Sequence, residues 1–286
     1  MTAGTPPQLR ATDSILATCD AGGDRDRVIT ILNQIDPVRA RLLLRMAEAL
    51  TSELTSTINP RSDFLDEPLS AAIGAQLLLH HATHDEKLNK KSFEYLLKYA
   101  CEACGRTAIL TENPVFPAAD ITIDGIGISL KTQADGSIKP HSAYIQKFME
   151  ARWIRDFSAG KDLANEAKRR ISDHLTKYQQ ILMLRAFDLP NGNFKYELME
   201  IPKSVLELIN GTPSELFPNK NDYGSVGIDI GDAAGIAFRL MLDGSVEKVR
   251  LFNIRTNRCI QHGTWLIPSG VYIEAREPLG KQGELS

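Results

Sequence analysis

The segment PAADITIDGIGISLKTQ, residues 117–133, constrains the fold more than any other part of the chain. It contains two short runs of alternating residues on either side of Asp124 and Gly125. An Asp-Gly pair in this setting is a strong short-range signal for a β-hairpin with a two-residue turn. A turn at this position brings Asp120 opposite Ser129.

The two faces of this hairpin differ because side chains alternate along a strand. One face is apolar and consists of Ile121, Ile123, Ile126, Ile128 and Leu130. The other face consists of Asp120, Thr122, Gly127, Ser129, Lys131 and Gln133. In this register Ile121 pairs with Ile128, and Ile123 pairs with Ile126. We expect the apolar face to pack into the core, while the polar face is either the solvated side of a half-buried sheet or a functional site.

The elements around the hairpin predict an α/β fold with a mixed central sheet flanked by helices. Residues 1–89 are predicted to form a helical N-terminal region, and residues 211–286 a strand-rich C-terminal part. Residues 90–210 show the order helix, strand, strand, strand, helix, strand, with HSAYIQKFMEARWIRDF (141–157) predicted as a helix. The hairpin is antiparallel and the later strand follows a helix, which indicates a mixed sheet.

Composition places the chain among ordinary globular proteins, with 43% hydrophobic residues, 24% charged residues and a net charge of −3. The chain lacks the overall basic character of many nucleic-acid-binding proteins, but a basic cleft in an acidic protein remains possible. We find no secretory signal, and no apolar stretch approaches the roughly 18 residues needed to span a bilayer. These observations predict a cytoplasmic protein with no membrane association.

Asp120 and Lys131 bring a carboxylate and an ammonium group to one small region of the polar face. The carboxylate can hold a divalent metal ion, and the lysine can steady or deprotonate a water molecule beside it. Phosphodiester hydrolysis needs both parts, because charge develops on the phosphate and the attacking water must be positioned. The polar face is therefore a candidate hydrolytic site.

Asp120, followed by the triplet SLK at 129–131 within this order of elements, resembles the PD-(D/E)XK nucleases, and more closely their type II restriction endonuclease branch. The blocks SFEYLLKYA, ADITIDG, ISLKTQ, KFMEARWIRD and YELMEIP are similar to those of such enzymes, over about residues 90–205. The resemblance implies a PD-(D/E)XK core, a Mg²⁺ cofactor bound by Asp120 and by the backbone carbonyl of Leu130, and a water molecule oriented by Lys131.

Two positions depart from the family pattern. Pro117 lies three residues before Asp120 instead of immediately before it. Ser129, which its position makes a candidate catalytic residue, stands where the family usually has Asp or Glu, and a hydroxyl is a poor substitute for a carboxylate around magnesium. Similar enzymes recruit a glutamate from a neighbouring helix. Glu94 in the preceding predicted helix and Glu150 in the following one are the two candidates.

Basic residues outside the hairpin are candidates for contacts with DNA. We predict phosphate contacts for Arg152, Arg155, Arg169 and Arg170. We predict base contacts in the major groove for Arg250, Arg255, Arg258 and His262. A solvated basic helix face is common, so that alternative stays open for the helical residues.

The resemblance implies a Mg²⁺-dependent type II restriction endonuclease that hydrolyses both strands of double-stranded DNA at a specific sequence. Palindromic recognition sites favour a homodimer whose two-fold axis matches that of the DNA. The strand-rich C-terminal part would pack with the core and contact DNA. Two alternatives remain, a repair or mobile-element nuclease on the same core and a non-catalytic DNA-binding protein that retains the fold.

Overall fold

The computed structural model describes residues 21–111, 119–136, 138–157, 160–190 and 192–268, with the side chains of residues 21, 22 and 25 not described. Pro117 therefore lies outside the described residues. The helices are α1 (Ala21–Leu32), α2 (Pro37–Thr51), α3 (Glu67–Thr83), α4 (Lys90–Ala103), α5 (Gly160–Leu175) and α6 (Lys203–Glu207). Short 3-10 helices span Arg152–Asp156, Leu208–Gly211, Ser214–Leu216 and Thr256–Arg258. The strands are β1 (Thr55–Ile58), β2 (Ala108–Leu110), β3 (Ile121–Ile123), β4 (Ile126–Gln133), β5 (Ser142–Glu150), β6 (Gln180–Asp188), β7 (Phe194–Glu200), β8 (Val226–Asp232), β9 (Gly235–Asp243), β10 (Lys248–Arg255) and β11 (Ile260–Ile267).

The chain forms two compact units, residues 1–51 and residues 52–286. In the first unit α1 and α2 are separated at Asp36 and Pro37, where the sequence predicts a break. The Asp36 carboxylate accepts hydrogen bonds from the backbone N–H groups of Val38 and Arg39, and Pro37 occupies the first helical position. Every strand of the described ranges lies in the second unit, which contains the predicted 90–210 core together with β1, α3 and the strand-rich tail.

A seven-stranded mixed sheet organises the second unit in the order β1-β11-β7-β6-β4-β3-β2. Its neighbouring strands are antiparallel except β4 and β6, which are parallel. A parallel pair needs a crossover connection, and the chain between β4 and β6 includes α5. The predicted α/β class with a mixed central sheet is thus confirmed. None of the helices in the described ranges is long and apolar enough to cross a membrane.

The two faces of this sheet belong to different hydrophobic cores. Helices α3 and α4 pack on one face, where Leu97 meets Leu130 and Leu182 in one cluster. Helix α5 and the tail strands pack on the other face, where Met183 belongs to the second cluster. Because paired residues of adjacent strands share a face, the row through Leu130 and Leu182 faces α4, and the row through Lys131 and Met183 faces α5.

The predicted helix over residues 141–157 is wrong. Residues 142–150 form β5, which belongs to a second sheet with the order β5-β10-β9-β8, and only Arg152–Asp156 is helical, as a 3-10 helix. The pairing of β5 with β10 shifts register between Ile145 and Met149, so an irregularity interrupts the strand alternation. The buried residues Ile145 and Phe148 are consequently three apart, which imitates the spacing of a helix.

The predicted hairpin is confirmed in register and turn. Ile121 lies opposite Ile128 and Ile123 lies opposite Ile126. Asp124 and Gly125 at the turn have φ angles of 49° and 83°, the two positive values that a type I′ turn requires. The hairpin therefore presents Ile121, Ile123 and Ile128 to the α4 core and its polar residues to the opposite face. Ile126, next to the turn, is 42% exposed, so the expectation that it packs into the core is wrong.

Candidate active site

Asp120 immediately precedes β3 and is tied to β4 through both its backbone and its side chain. Its backbone N–H donates to the Ile128 carbonyl at 2.8 Å. Its carboxylate Oδ2 accepts hydrogen bonds from the Leu130 backbone N–H at 2.6 Å and from the Ser129 hydroxyl at 3.2 Å. The carboxylate is thereby fixed across from β4, as the hairpin pairing predicts.

Ser129 connects Asp120 to Lys131. The Lys131 ammonium donates to the Ser129 Oγ at 2.8 Å, while the hydroxyl proton of Ser129 is directed at Asp120. Burial lowers the pKa of Lys131 to about 8, although the nearby charge of Asp120 opposes this shift. A lysine in this state can exchange a proton near neutral pH, which suits a group that acts on a water molecule.

Glu94 in α4 is brought to the same place, and Lys90 lies between the two carboxylates. The Lys90 Nζ is 2.6 Å from Asp120 Oδ1 and 3.7 Å from Glu94 Oε1. The Glu94 side chain is only 14% exposed, and Lys91 also pairs with it. One positive charge thus already lies between two converging carboxylates, which are the hard oxygen ligands that Mg²⁺ prefers. These residues fit a divalent cation.

Three neighbours of the site were missed by sequence reasoning. Lys90 is one, and His174 and Tyr178 near the end of α5 are the others. Burial and then the positive charge of Lys131 lower the pKa of His174 to about 4, so its ring is neutral at pH 7. Burial and then the charge of Asp120 raise the pKa of Tyr178, whose buried hydroxyl has no hydrogen-bond partner in the described part of the chain. The four-residue spacing of His174 and Tyr178 is the one sequence signal that could have linked them.

Glu150 does not join this cluster. It ends β5 in the second sheet instead of lying in a helix, and its side chain is 61% exposed. Lys147 lowers the pKa of this carboxyl by hydrogen bonding and by its charge, and Lys248 is its partner across the strand pair. Of the two glutamates proposed to replace the missing ligand, the structure brings Glu94 to Asp120 and leaves Glu150 elsewhere.

Comparison with known proteins identifies the family of the chain. The SmaI family of type II site-specific deoxyribonucleases matches residues 32–267. The chain belongs to this family. The type II restriction enzyme SmaI of Serratia marcescens is 27% identical over 249 residues, which cover 84% of this chain and 96% of that protein. No solved structure gives a significant match.

Membership of the SmaI family makes this chain a sequence-specific restriction endonuclease. The expected class, a sequence-specific type II restriction endonuclease, is therefore confirmed. The family favours this class over the two alternatives that the sequence left open, a non-catalytic DNA-binding protein and a repair or mobile-element nuclease.

Two of the predicted phosphate-binding arginines of this SmaI family member are largely exposed. Arg152 and Arg155 lie on the 3-10 helix after β5, with side chains that are 89% and 62% exposed. Both approach Glu247, at 3.5 and 2.9 Å. An ion pair at such an exposed position is weak, so either guanidinium can exchange it for a phosphate.

Arg169 and Arg170 on α5 share one acidic partner. Both donate hydrogen bonds to the Glu166 carboxylate, and their guanidinium groups lower the pKa of that carboxyl to about 2. Much of their charge is therefore balanced on their own helix. This pair corresponds to the solvated helix face that the sequence left as the alternative.

The four predicted base-reading residues are placed differently from one another. Arg250 pairs with Asp243 at 2.9 Å, and Arg258 is held by a carboxylate at the end of β8. Arg255 is exposed at the end of β10. His262 is fully buried, and its position therefore does not agree with the prediction that it reads a base edge.

Proposed function

We propose that this restriction endonuclease cleaves DNA at the cluster formed by Asp120, Glu94, Ser129 and Lys131, in the manner of the PD-(D/E)XK nucleases. The observation that carries the proposal is the convergence of two carboxylates on one positive charge next to a lysine of lowered pKa. The order α4, β2, β3, β4, α5, β6 supports the PD-(D/E)XK core, with β5 as an additional strand after β4.

Asp120 and Glu94 would hold Mg²⁺, with Lys90 displaced from between them. Leu130 is a candidate for a further ligand, because its backbone N–H points to Asp120 and the N–H and C=O of one strand residue point to the same side. Bound Mg²⁺ would offset the negative charge that develops on the attacked phosphate. The Leu130 side chain stays buried in the α4 core, where it fixes the position of its backbone.

Lys131 would orient a water molecule for attack and take up its proton, since the lowered pKa makes the neutral amine accessible near pH 8. Ser129 cannot replace a carboxylate ligand, but its hydroxyl links Lys131 to Asp120 and so fixes the position of the ammonium group relative to the carboxylate. We assign Ser129 this positioning role in place of metal binding.

We further propose double-stranded DNA as the bound substrate, with exposed Arg152, Arg155 and Arg255 as contacts. Arg250 and Arg258 could reach DNA only by leaving their carboxylate partners. A reducing cytoplasm suits both this substrate and the free thiols of Cys101 and Cys104.

The proposed homodimer would use the two N-terminal helices. Their large apolar side chains are strongly exposed, including Val28, Ile29, Val38, Leu42 and Leu44 at 54%, 57%, 71%, 58% and 57%. Apolar surface of this extent marks an interaction site in most proteins. A second copy of the chain is the occupant that a palindromic DNA site requires, because a two-fold axis presents the same residues to both half-sites.

The assignment of the site is tested by incubating phage DNA and Mg²⁺ with the wild-type chain and with Asp120→Asn and Lys131→Ala. We expect discrete fragments from the wild type and a loss of about 100-fold or more in rate for either variant, with DNA binding retained in a gel-shift assay. Asp124→Asn at the turn of the same hairpin is the matched control and should cleave normally. Cleavage by either variant at the wild-type rate contradicts the proposal.

The dimer is tested by measuring the molar mass of the full-length chain with light scattering as it elutes from a size-exclusion column. We expect a dimer for the wild type and a monomer for Leu44→Glu, because a charge in an apolar contact is strongly unfavourable. Tyr223→Glu, at an exposed aromatic residue of the second unit, should leave the mass unchanged. A wild-type monomer both free and on DNA would contradict the proposal.

A further inference from the structure

Asp63, Glu200 and His262 form a second cluster of metal-ligand type, away from the proposed cleavage site. Each offers one ligand atom, and the three atoms lie within 4.8 Å of one another. We propose that this cluster binds a divalent transition-metal ion of the Zn²⁺ class, separate from the Mg²⁺ proposed for cleavage.

A β-bulge directs the histidine into the cluster. Gln261 pairs with Met199 and Gly263 pairs with Leu198, so His262 is an extra residue between two consecutive positions of β7. Such a bulge re-aims one side chain while the strand continues. Gly263 allows β1 to approach closely beside it, since a Cβ at this position would lie 2.7 Å from the Thr57 carbonyl oxygen.

The buried polar atoms of this cluster are unsatisfied. His262 is fully buried, and its Nε2 has no hydrogen-bond partner within the described ranges. Oε2 of Glu200 lies 3.5 Å from this Nε2, which is too long for a hydrogen bond, and that oxygen also lacks a partner there. Buried polar groups nearly always have a hydrogen-bond partner, so two unpaired polar atoms that face each other indicate that a group between them is missing. A cation between them would satisfy both.

Ser62 holds the His262 ring in place through its second nitrogen, Nδ1. Its Oγ lies 2.9 Å from His262 Nδ1 and also accepts the backbone N–H of Leu65 at 2.8 Å. Metal-binding histidines usually have the second ring nitrogen held in this way. Nε2 is thereby directed at the carboxylate of Glu200, with Asp63 on the neighbouring exposed loop.

The donor set determines the class of metal. One imidazole nitrogen with two carboxylate oxygens suits Zn²⁺ and similar transition-metal ions, whereas Mg²⁺ prefers oxygen ligands throughout. Ligand atoms around a tetrahedral Zn²⁺ lie about 3.4 Å apart, given bond lengths of about 2.1 Å. The three ligand atoms lie within 4.8 Å of one another, so any pair has to close by at most about 1.4 Å to meet this geometry, and three protein ligands leave a fourth position for water.

The cluster lies on the opposite face of the sheet from Lys131. Leu182 pairs with both Leu130 and Glu200, so these three residues share the face that packs against α4. A metal here would join the loop before α3, the end of β7 and the bulge of β11. Its expected role is therefore to hold these segments together instead of touching the DNA that is cut at Asp120.

The proposal is tested by equilibrium dialysis of the full-length Asp120→Asn chain against Zn²⁺, since this variant disables the proposed cleavage site. We expect one equivalent of bound Zn²⁺ and, at free Zn²⁺ near 100 times its Kd, a rise in melting temperature of about 5 °C or more. Co²⁺ in place of Zn²⁺ should give a visible absorption band typical of a nitrogen and oxygen ligand set.

Adding Asp63→Asn to this chain should abolish both the binding and the melting shift, and adding the exposed Glu67→Gln in the same segment should abolish neither. Asp63 is exposed, so its variant should fold, and circular dichroism checks this. Absence of Zn²⁺ binding, or full binding after either Asp63→Asn or Glu200→Gln, overturns the proposal. DNA cleavage is not a readout, so this result is independent of the proposed catalytic role of Asp120.

Discussion

Lys131→Met should stabilise the protein while it abolishes DNA cleavage. The pKa of Lys131 falls from 10.5 to about 8, with burial as the largest cause. At about 1.4 kcal/mol per pKa unit, holding this charged lysine in the folded state costs about 3 kcal/mol at pH 7. Methionine has a similar shape and no charge, but it loses the hydrogen bond to Ser129, worth about 1 kcal/mol. We therefore expect a net gain of about 2 kcal/mol in the free energy of unfolding.

The gain should depend on pH in a defined direction. The folded-state pKa of Lys131 is below the unfolded value, so between pH 8 and about 10.5 the unfolded wild type binds more protons than the folded wild type. The stability of the wild type relative to Lys131→Met must then rise with pH across this window. The advantage of the variant is fully present below pH 8 and is lost as the pH approaches 10.5.

Urea unfolding of both chains at pH 7 and pH 9.5, in EDTA and without DNA, measures this difference. Other titrating groups are common to both chains and largely cancel in the comparison. A variant that is less stable than the wild type at pH 7, or a stability difference that is the same at both pH values, would show that burial of the Lys131 charge does not destabilise the folded state.

Further variants test the packing and the site. Arg185→Met leaves a buried glutamate unpaired and should cost about 3–5 kcal/mol in urea unfolding, whereas Arg239→Met at an exposed pair should cost less than about 1 kcal/mol. Gly263→Ala brings a Cβ to within 2.5 Å of a leucine side chain and should lower stability by about 1–3 kcal/mol, while Gly211→Ala meets nothing within 4 Å and should be tolerated. Ser129→Ala should slow single-turnover cleavage about tenfold without changing the Kd for DNA, because one positioning hydrogen bond is lost.

Local sequence signals predicted the parts of the fold that depend on neighbouring residues. The hairpin register follows from Asp124 and Gly125 alone, because the turn type fixes the pairing. The helix that carries Glu94 is predicted from the helical spacing of its apolar residues Phe93, Leu96, Leu97 and Ala100. The strand β5 was mispredicted because its irregular pairing places Ile145 and Phe148 at helical spacing, and the partner strand that decides the matter is about 100 residues away in the chain.

Strand alternation predicts the part of the site that lies on the hairpin, and Glu94 entered only as one of two candidates that the family resemblance implies. Asp120 and Lys131 were found from the alternation along the strands, but Lys90 and His174 come from two helices on either side of the sheet. Their approach depends on how those helices pack, which no local pattern encodes. The same holds for His262, whose burial depends on a bulge that appears only when β11 pairs with β7.

We propose that Glu94 supplies the carboxylate ligand that Ser129 cannot. The most direct measurement is the single-turnover rate of duplex DNA cleavage with saturating Mg²⁺, by Glu94→Gln and by Glu150→Gln, each with its Kd for DNA measured alongside. We expect Glu94→Gln to slow cleavage by about 100-fold or more with an unchanged Kd, and Glu150→Gln to cleave like the wild type. Normal cleavage by Glu94→Gln, or a comparable loss in Glu150→Gln, would contradict it.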